Sequence, residues 1–334
     1  MEIKKALVLS GGSIKGAFQA GAIAELLASG FVPDAIYGTS VGSLNGAFLA
    51  DRAGRMIRAG KDLDCSDLGR QLEAFWLDDL HSPSQVGVQK RLIPLVISLL
   101  RQQFKGLIDT SPLRELVEAQ IDPENLRASP IKFFACAVNL VTGAAVYADE
   151  DYSGIRDYII ASTAIPVEMP YITIGKSPYV DGGVREVAPL KRAIDDGAEE
   201  IVCIICQPEK LQGASFRPGN LPEFAMRLME VVTNELVNND IKQFRDVNRW
   251  VETFQEVQGD LETLLGSQDR AEADSAEILE KMTELPFAKW RRIPITVIRP
   301  DNEIVLDLLH FTPTQIREVI EQGRNIARRD LAAT

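Results

Sequence analysis

Five residues, Gly38-Thr39-Ser40-Val41-Gly42, place a serine between two glycines at the G-x-S-x-G spacing. A serine at such a turn can act as a nucleophile: small flanking residues let neighbouring backbone approach, and the hydroxyl projects over the free amides of a helix N-terminus, which stabilise negative charge. The bland alternative is a glycine-bounded turn with a helix-capping serine. A second loop, Ser10-Gly11-Gly12-Ser13-Ile14-Lys15-Gly16, carries successive amides able to line a concavity for an anion. Its Gly11 and Gly16 have P-loop spacing, but Ala17-Phe18 follow where lysine and a hydroxyl residue are required. The loop therefore suits an oxyanion hole, with amides near Gly12 and Ser13 aimed at a tetrahedral intermediate.

A serine nucleophile needs a proton acceptor, and the chain has only two histidines, His81 and His310. The order Ser40, Asp181, His310 is formally that of an α/β-hydrolase triad, but in that fold the elbow follows several strands, whereas Ser40 follows a single βα unit. His310 precedes a predicted helix, where a loop or cap role is expected. The other acceptor is Asp181, delivered by a strand-like Tyr179-Val180 and followed by Gly182 and Gly183, which clear space around the carboxyl. Asp-Gly-Gly is by itself also a turn signal. An aspartate with an ordinary acidity is a weak base toward an alcohol, so a Ser40-Asp181 dyad demands a dry site that raises its pKa.

The elements that must position these residues follow from hydrophobic patterning. Residues 6–9 read as a buried strand, 11–16 as a turn, 17–27 as a helix, 36–37 as a second strand and 41–50 as a second helix, which is an α/β opening. Further strands are predicted at 133–138, 144–147, 201–206 and 295–298, and helices at 158–163 and 190–195. Residues 223–257 have helical spacing of apolar side chains, 268–280 are strongly polar and read as a solvated arm, and a closing helix is predicted at about 313–329. The expected organisation is a core over 5–205 and an extension over 206–334 packed on it, comprising a helical arm at about 221–290, a returning strand at about 294–299 and the closing helix.

Together the motifs resemble the patatin-like phospholipase family. The resemblance rests on the Ser10 to Gly16 loop, the Gly38 to Gly42 elbow, Ala161-Ser-Thr-Ala-Ile-Pro166 as the family's helix-ending segment, and Asp181-Gly182-Gly183. It extends through 234–249 and 311–330. It implies an α/β fold, a three-layer α/β/α sandwich with a mainly parallel central sheet and a C-terminal helical extension. It also implies lipid acyl hydrolysis by a Ser40-Asp181 dyad, with Gly11, Gly12, Ser13 and Ile14 as the oxyanion loop and Gly16, Gly38, Gly42, Gly182 and Gly183 as structural glycines. No metal or organic cofactor is implied. One departure stands out: Ser13 occupies the place of the family's usual third glycine. The reading adopted is that only the amide of position 13 is used, so that serine costs little there.

Composition limits the partners. With 36 basic against 48 acidic residues and a net charge of −12, the chain lacks the electrostatic footprint of a nucleic-acid binder. The expected partner is a lipid or acyl-ester substrate, with Lys15 offered to a lipid phosphate. Residues 90–108, an apolar face bordered by Lys90, Arg91 and Arg101, are expected to make transient membrane-surface contact or to roof the site. The longest apolar block, 92–100, is shorter than the roughly 20 residues of a bilayer span. Four cysteines without a disulfide pattern point to a reducing, cytoplasmic location with peripheral membrane contact, and Cys203-x-x-Cys206 lies in an apolar run that reads as a buried strand, not a metal knuckle. The competing readings are a non-catalytic binding or regulatory module on the same fold, and an acyltransferase or thioesterase using the same serine.

Overall fold

The computed structural model describes residues 3–91, 98, 100–102, 104–213, 221–266 and 290–332. The apolar block at 92–100 therefore falls almost wholly outside the described residues, as does the polar arm at 268–280. Two compact units are present, residues 1–237 with 295–334, and residues 238–294. In the second unit the side chain of Asn248 clasps the backbone of Ile293, donating to its carbonyl at 2.6 Å and accepting from its amide at 3.1 Å.

The first unit is built on one eight-stranded sheet. Its elements are β1 (Lys5–Leu9), α1 (Gly16–Ala28), β2 (Ala35–Thr39), α2 (Val41–Arg58), α3 (Cys65–Ala74), α4 (Ser111–Gln120), α5 (Pro123–Ala128), β3 (Lys132–Asn139), β4 (Ala145–Ala148), α6 (Ile155–Ser162), β5 (Ile172–Ile174), β6 (Ser177–Asp181), α7 (Leu190–Asp195), β7 (Glu200–Ile204), the start of α8 (Leu221–Gly266), β8 (Ile295–Ile298) and α9 (Pro313–Ala332). Strand order is β8-β7-β1-β2-β3-β6-β5, with β4 also paired to β3. The five strands from β8 to β3 are parallel, while β4, β5 and β6 join antiparallel. Continuous apolar runs such as Ala6-Leu-Val-Leu9 suit this arrangement, because a parallel strand is covered on both faces. Helices flank the sheet in the expected three-layer α/β/α arrangement.

The predicted β1, β2, α1, α7 and β8 are all present with ends shifted by at most two residues. Helix α2 runs eight residues past the predicted end at Ala50, because its later turns hold a buried Asp51 that accepts from Asn125 and from the amide of Asp122. Helices α3, α4 and α5 carry no motif and were not anticipated. Cys203 in β7 and Cys206, two residues past its end, are both fully buried, as the apolar run implied.

Strand register places the motifs. Leu9 lies opposite Gly38 on one side and Ile204 on the other, so the loops leaving β1, β2 and β7 emerge together at the carboxyl edge of the sheet. Thr39 pairs with Cys136 of β3, and the neighbouring Ala137 pairs with Asp181 of β6. The antiparallel entry of β6 thus ends its chain beside the elbow that opens α2.

Candidate active site

Ser40 sits at the β2–α2 junction with φ 55° and ψ −125°, a conformation that non-glycine residues rarely adopt. Such backbone costs about 1–3 kcal/mol and persists only where the surroundings enforce it. The enforcement is visible. A Cβ on Gly38 would lie 2.4 Å from the carbonyl oxygen of Gly42, and one on Gly42 would lie 2.4 Å from that of Leu9, so only glycine permits the turn to close. The Ser40 amide donates to Ser162 Oγ at 2.9 Å, and Ser162 in turn donates to the Cys136 carbonyl and touches Ser43 Oγ at 2.7 Å.

The Ser40 side chain is near enough to the Asp181 carboxyl to favour its ionised form. Asp181 accepts the Gly183 amide at 2.7 Å and is 6% exposed. Burial pushes its pKa up to about 6, against the opposing pull of the Ser40 side chain and the Gly183 amide. Gly182, at the turn after the aspartate, is packed so closely on β3 that a Cβ there would lie 2.4 Å from the Cys136 carbonyl oxygen. Neither histidine joins this pair. His81 Nδ1 is 2.7 Å from the Asp78 carbonyl oxygen, and His310 is exposed, with Nδ1 3.0 Å from Asp307 Oδ1.

The glycine loop leaves β1 and turns once, over Ser13–Lys15, before α1 begins at Gly16. Its first internal bond runs from the Lys15 amide to the Gly12 carbonyl at 3.1 Å, so the amides of Gly12, Ser13 and Ile14 precede any acceptor within the turn. Gly11 is different: its amide donates to the Val187 carbonyl at 2.9 Å and is spent on the fold, which removes it from the expected set of anion donors. Position 13 also differs from expectation. Ser13 has φ 53°, in the left-handed region, so the loop needs a backbone conformation at position 13 that the expectation left out. Serine there is strained where glycine would be at ease.

Lys15 does not present its ammonium to an open anion site. The side chain is 10% exposed and its Nζ lies 2.8 Å from Glu230 Oε1, which neutralises the charge offered to a lipid phosphate.

Three further side chains brace the site and were not anticipated. Gln19 and Asn45 are fully buried. Gln19 donates to the Ser10 carbonyl at 2.8 Å, Asn45 donates to the Gly16 carbonyl at 3.1 Å and to Gln19 Oε1 at 3.0 Å, and Trp76 Nε1 donates to Asn45 Oδ1 at 2.9 Å. This network joins the glycine loop to α2. The available signal was Gln19 itself, a lone polar side chain inside the apolar run of α1; nothing local marks Asn45 or Trp76.

In front of Ser40 lies a narrow cavity of about 40 Å³. Ser13 and Ile14 of the loop and Ser40 and Val41 of the elbow form one wall, and Leu44, Trp76, Leu80, Val86, Leu113, Ile165, Met169 and Leu308 make the rest largely apolar. Among the described residues no helix is long and apolar enough to cross a membrane.

Solved structures with some likeness include VipD from Legionella pneumophila, 14% identical, covering 100% of this chain and 67% of that one at a TM-score of 0.43. Another is a chain from the complex of full-length SpcU with full-length ExoU of the Pseudomonas aeruginosa type III secretion system, 16% identical, covering 85% and 69% at a TM-score of 0.24. At those values neither likeness carries an argument. No curated protein sequence matches. The model of the patatin-like phospholipases, in contrast, matches residues 7–194, from β1 through the glycine loop, the elbow and the Asp181 turn, and stops before 234–249 and 311–330. With more than half of its length matched, this chain belongs to the patatin-like phospholipase family, whose members are lipid acyl hydrolases.

Proposed function

We propose that this protein hydrolyses fatty acyl esters of phospholipids or lysophospholipids through an acyl-enzyme on Ser40. Ser40 Oγ attacks the ester carbonyl while Asp181 takes its proton, and the amides of Gly12, Ser13 and Ile14 receive the oxyanion. Collapse of the tetrahedral intermediate breaks the ester bond, and Asp181 returns the proton to the departing alcohol. Water then attacks the acyl-serine, Asp181 accepts the water proton, and the second collapse releases the fatty acid and restores Ser40.

The observation that carries the reading is a serine held at φ 55° at the start of α2 beside a buried carboxyl whose pKa burial pushes up to about 6. That is the tuning a carboxylate base needs near neutral pH. The apolar lining of the adjoining cavity suits an acyl chain better than a polar substrate.

The test is turnover of a p-nitrophenyl acyl ester together with covalent labelling by a fluorophosphonate. Wild-type protein should be labelled at Ser40, and Ser40→Ala and Asp181→Asn should each lose at least 1,000-fold in kcat while remaining folded. Retained turnover by Ser40→Ala would refute the assignment. An unlabelled, inert wild-type protein would instead favour a non-catalytic module, and an acyl-alcohol product formed with added alcohol would favour acyl transfer.

A further inference from the structure

The glycine loop is tethered from outside itself. Lys15 closes the turn that begins at Ser13, and its nearly buried ammonium meets Glu230 of α8 at 2.8 Å. The second oxygen of Glu230 accepts from Arg227 at 3.0 Å, and Arg227 also holds Glu303 at 2.7 Å and the Gln212 carbonyl at 3.0 Å. Burial alone would raise the Glu230 carboxyl, but Lys15 and Arg227 overcome it and hold the group below its usual range. Glu230 is thus a charged side chain fixed from both sides, and it lies beyond residue 194, where the family match ends.

A tether at this point has a mechanical consequence. Ser13, two residues before Lys15, is held at φ 53°, which a serine abandons unless its surroundings forbid it. The bonds of Ser10 and Gly11 to Ile204 and Val187 fix the start of the loop, and the Gly12–Lys15 turn bond spans Ser13 itself. Without its carboxylate, the Lys15 ammonium would be a buried, uncompensated charge, and the route to water would pull the turn apart.

Resting on the hydrolase reading above, we propose that Glu230 is a positioning residue of the active site: through Lys15 it keeps the strained Ser13 turn in the shape that receives the oxyanion. The first turns of α8 thereby become part of the catalytic apparatus of this chain.

The experiment compares Glu230→Gln, Lys15→Met, their double variant, and Ser13→Gly placed in the Glu230→Gln background. The readouts are kcat and KM on a soluble short-chain ester, and amide hydrogen exchange of the peptide 10–16. Glu230→Gln should lower kcat about 10-fold or more with KM within twofold, and should speed exchange over 10–16 about 10-fold. The double variant should be no worse than the poorer single one. Ser13→Gly should restore kcat to within about threefold, because a turn free of strain no longer needs the tether; a merely structural role for Glu230 would not respond this way. Should Glu230→Gln fail to fold, Glu230→Asp keeps the charge at a shorter reach and should show an intermediate loss with the same rescue. Unchanged kcat in a folded variant, unchanged exchange, or no rescue by Ser13→Gly would each overturn the proposal. The exchange measurement decides it even if the wild-type protein proves to have no esterase activity, so failure of the hydrolase reading remains separable.

Discussion

The backbone amide of Ser40 donates to the hydroxyl of Ser162 at 2.9 Å, linking the elbow after β2 to the last residue of α6. Because Ser162 also reaches the Cys136 carbonyl of β3, it binds the elbow to the strand that separates Ser40 from Asp181.

Ser162→Ala leaves the Ser40 amide buried without a partner, at a cost of about 1–3 kcal/mol, and loosens a residue already held at φ 55°. The expected result is a kcat lowered about 10- to 100-fold with KM little changed and a reduced melting temperature. Steady-state kinetics on a soluble ester beside thermal denaturation check it, and a kcat within twofold of wild type would show that the bond does not position Ser40.

Ser13→Gly relieves left-handed strain at φ 53°. Glycine also adds freedom to the unfolded chain, which offsets part of the gain, so the net stabilisation should be about 0.5–1 kcal/mol. Activity should equal or exceed that of the wild type. A measured loss of stability would mean that the serine hydroxyl makes a contribution larger than the strain it brings.

The pH dependence of kcat/KM should follow Asp181. Only its ionised form accepts a proton, so activity should rise with pH through about 6 and level off above it. A histidine would produce a similar limb, and the distinction is genetic: the limb should persist, with kcat within twofold, in His81→Ala and His310→Ala proteins. Its disappearance in His310→Ala would restore the triad.

Asp181 also links pH to stability. Its folded pKa is raised from about 4 to about 6, so the native state holds more protons than the unfolded chain between those values, and stability is lost as pH rises through that window. Asp181→Asn removes the buried charge while its amide oxygen can still accept the Gly183 amide. The variant should be inactive yet more stable at pH 7, by on the order of 2–3 kcal/mol, with the difference vanishing below about pH 4. Denaturant titrations at both pH values test the sign.

Local sterics and patterning were legible in the residues themselves. Apolar runs marked β1 and β7, Gly38 and Gly42 marked the elbow because backbone approach there tolerates no Cβ, and Asp181-Gly-Gly marked a carboxyl at a turn. What the residues could not disclose depends on segments far away in the chain. Whether position 13 bends to positive φ is set by what surrounds the turn, not by the identity of its residue, and the expectation that serine sits there at little cost fails for that reason. Lys15 looked like a free cation because nothing near it in sequence pairs with it; its partner Glu230 is brought by a distant helix. Ser162 and Asn45 are ordinary polar residues until the fold buries them, when every donor and acceptor must be matched. The basicity of Asp181 is likewise a product of tertiary structure, since a carboxylate becomes a useful base only once packing has removed its water.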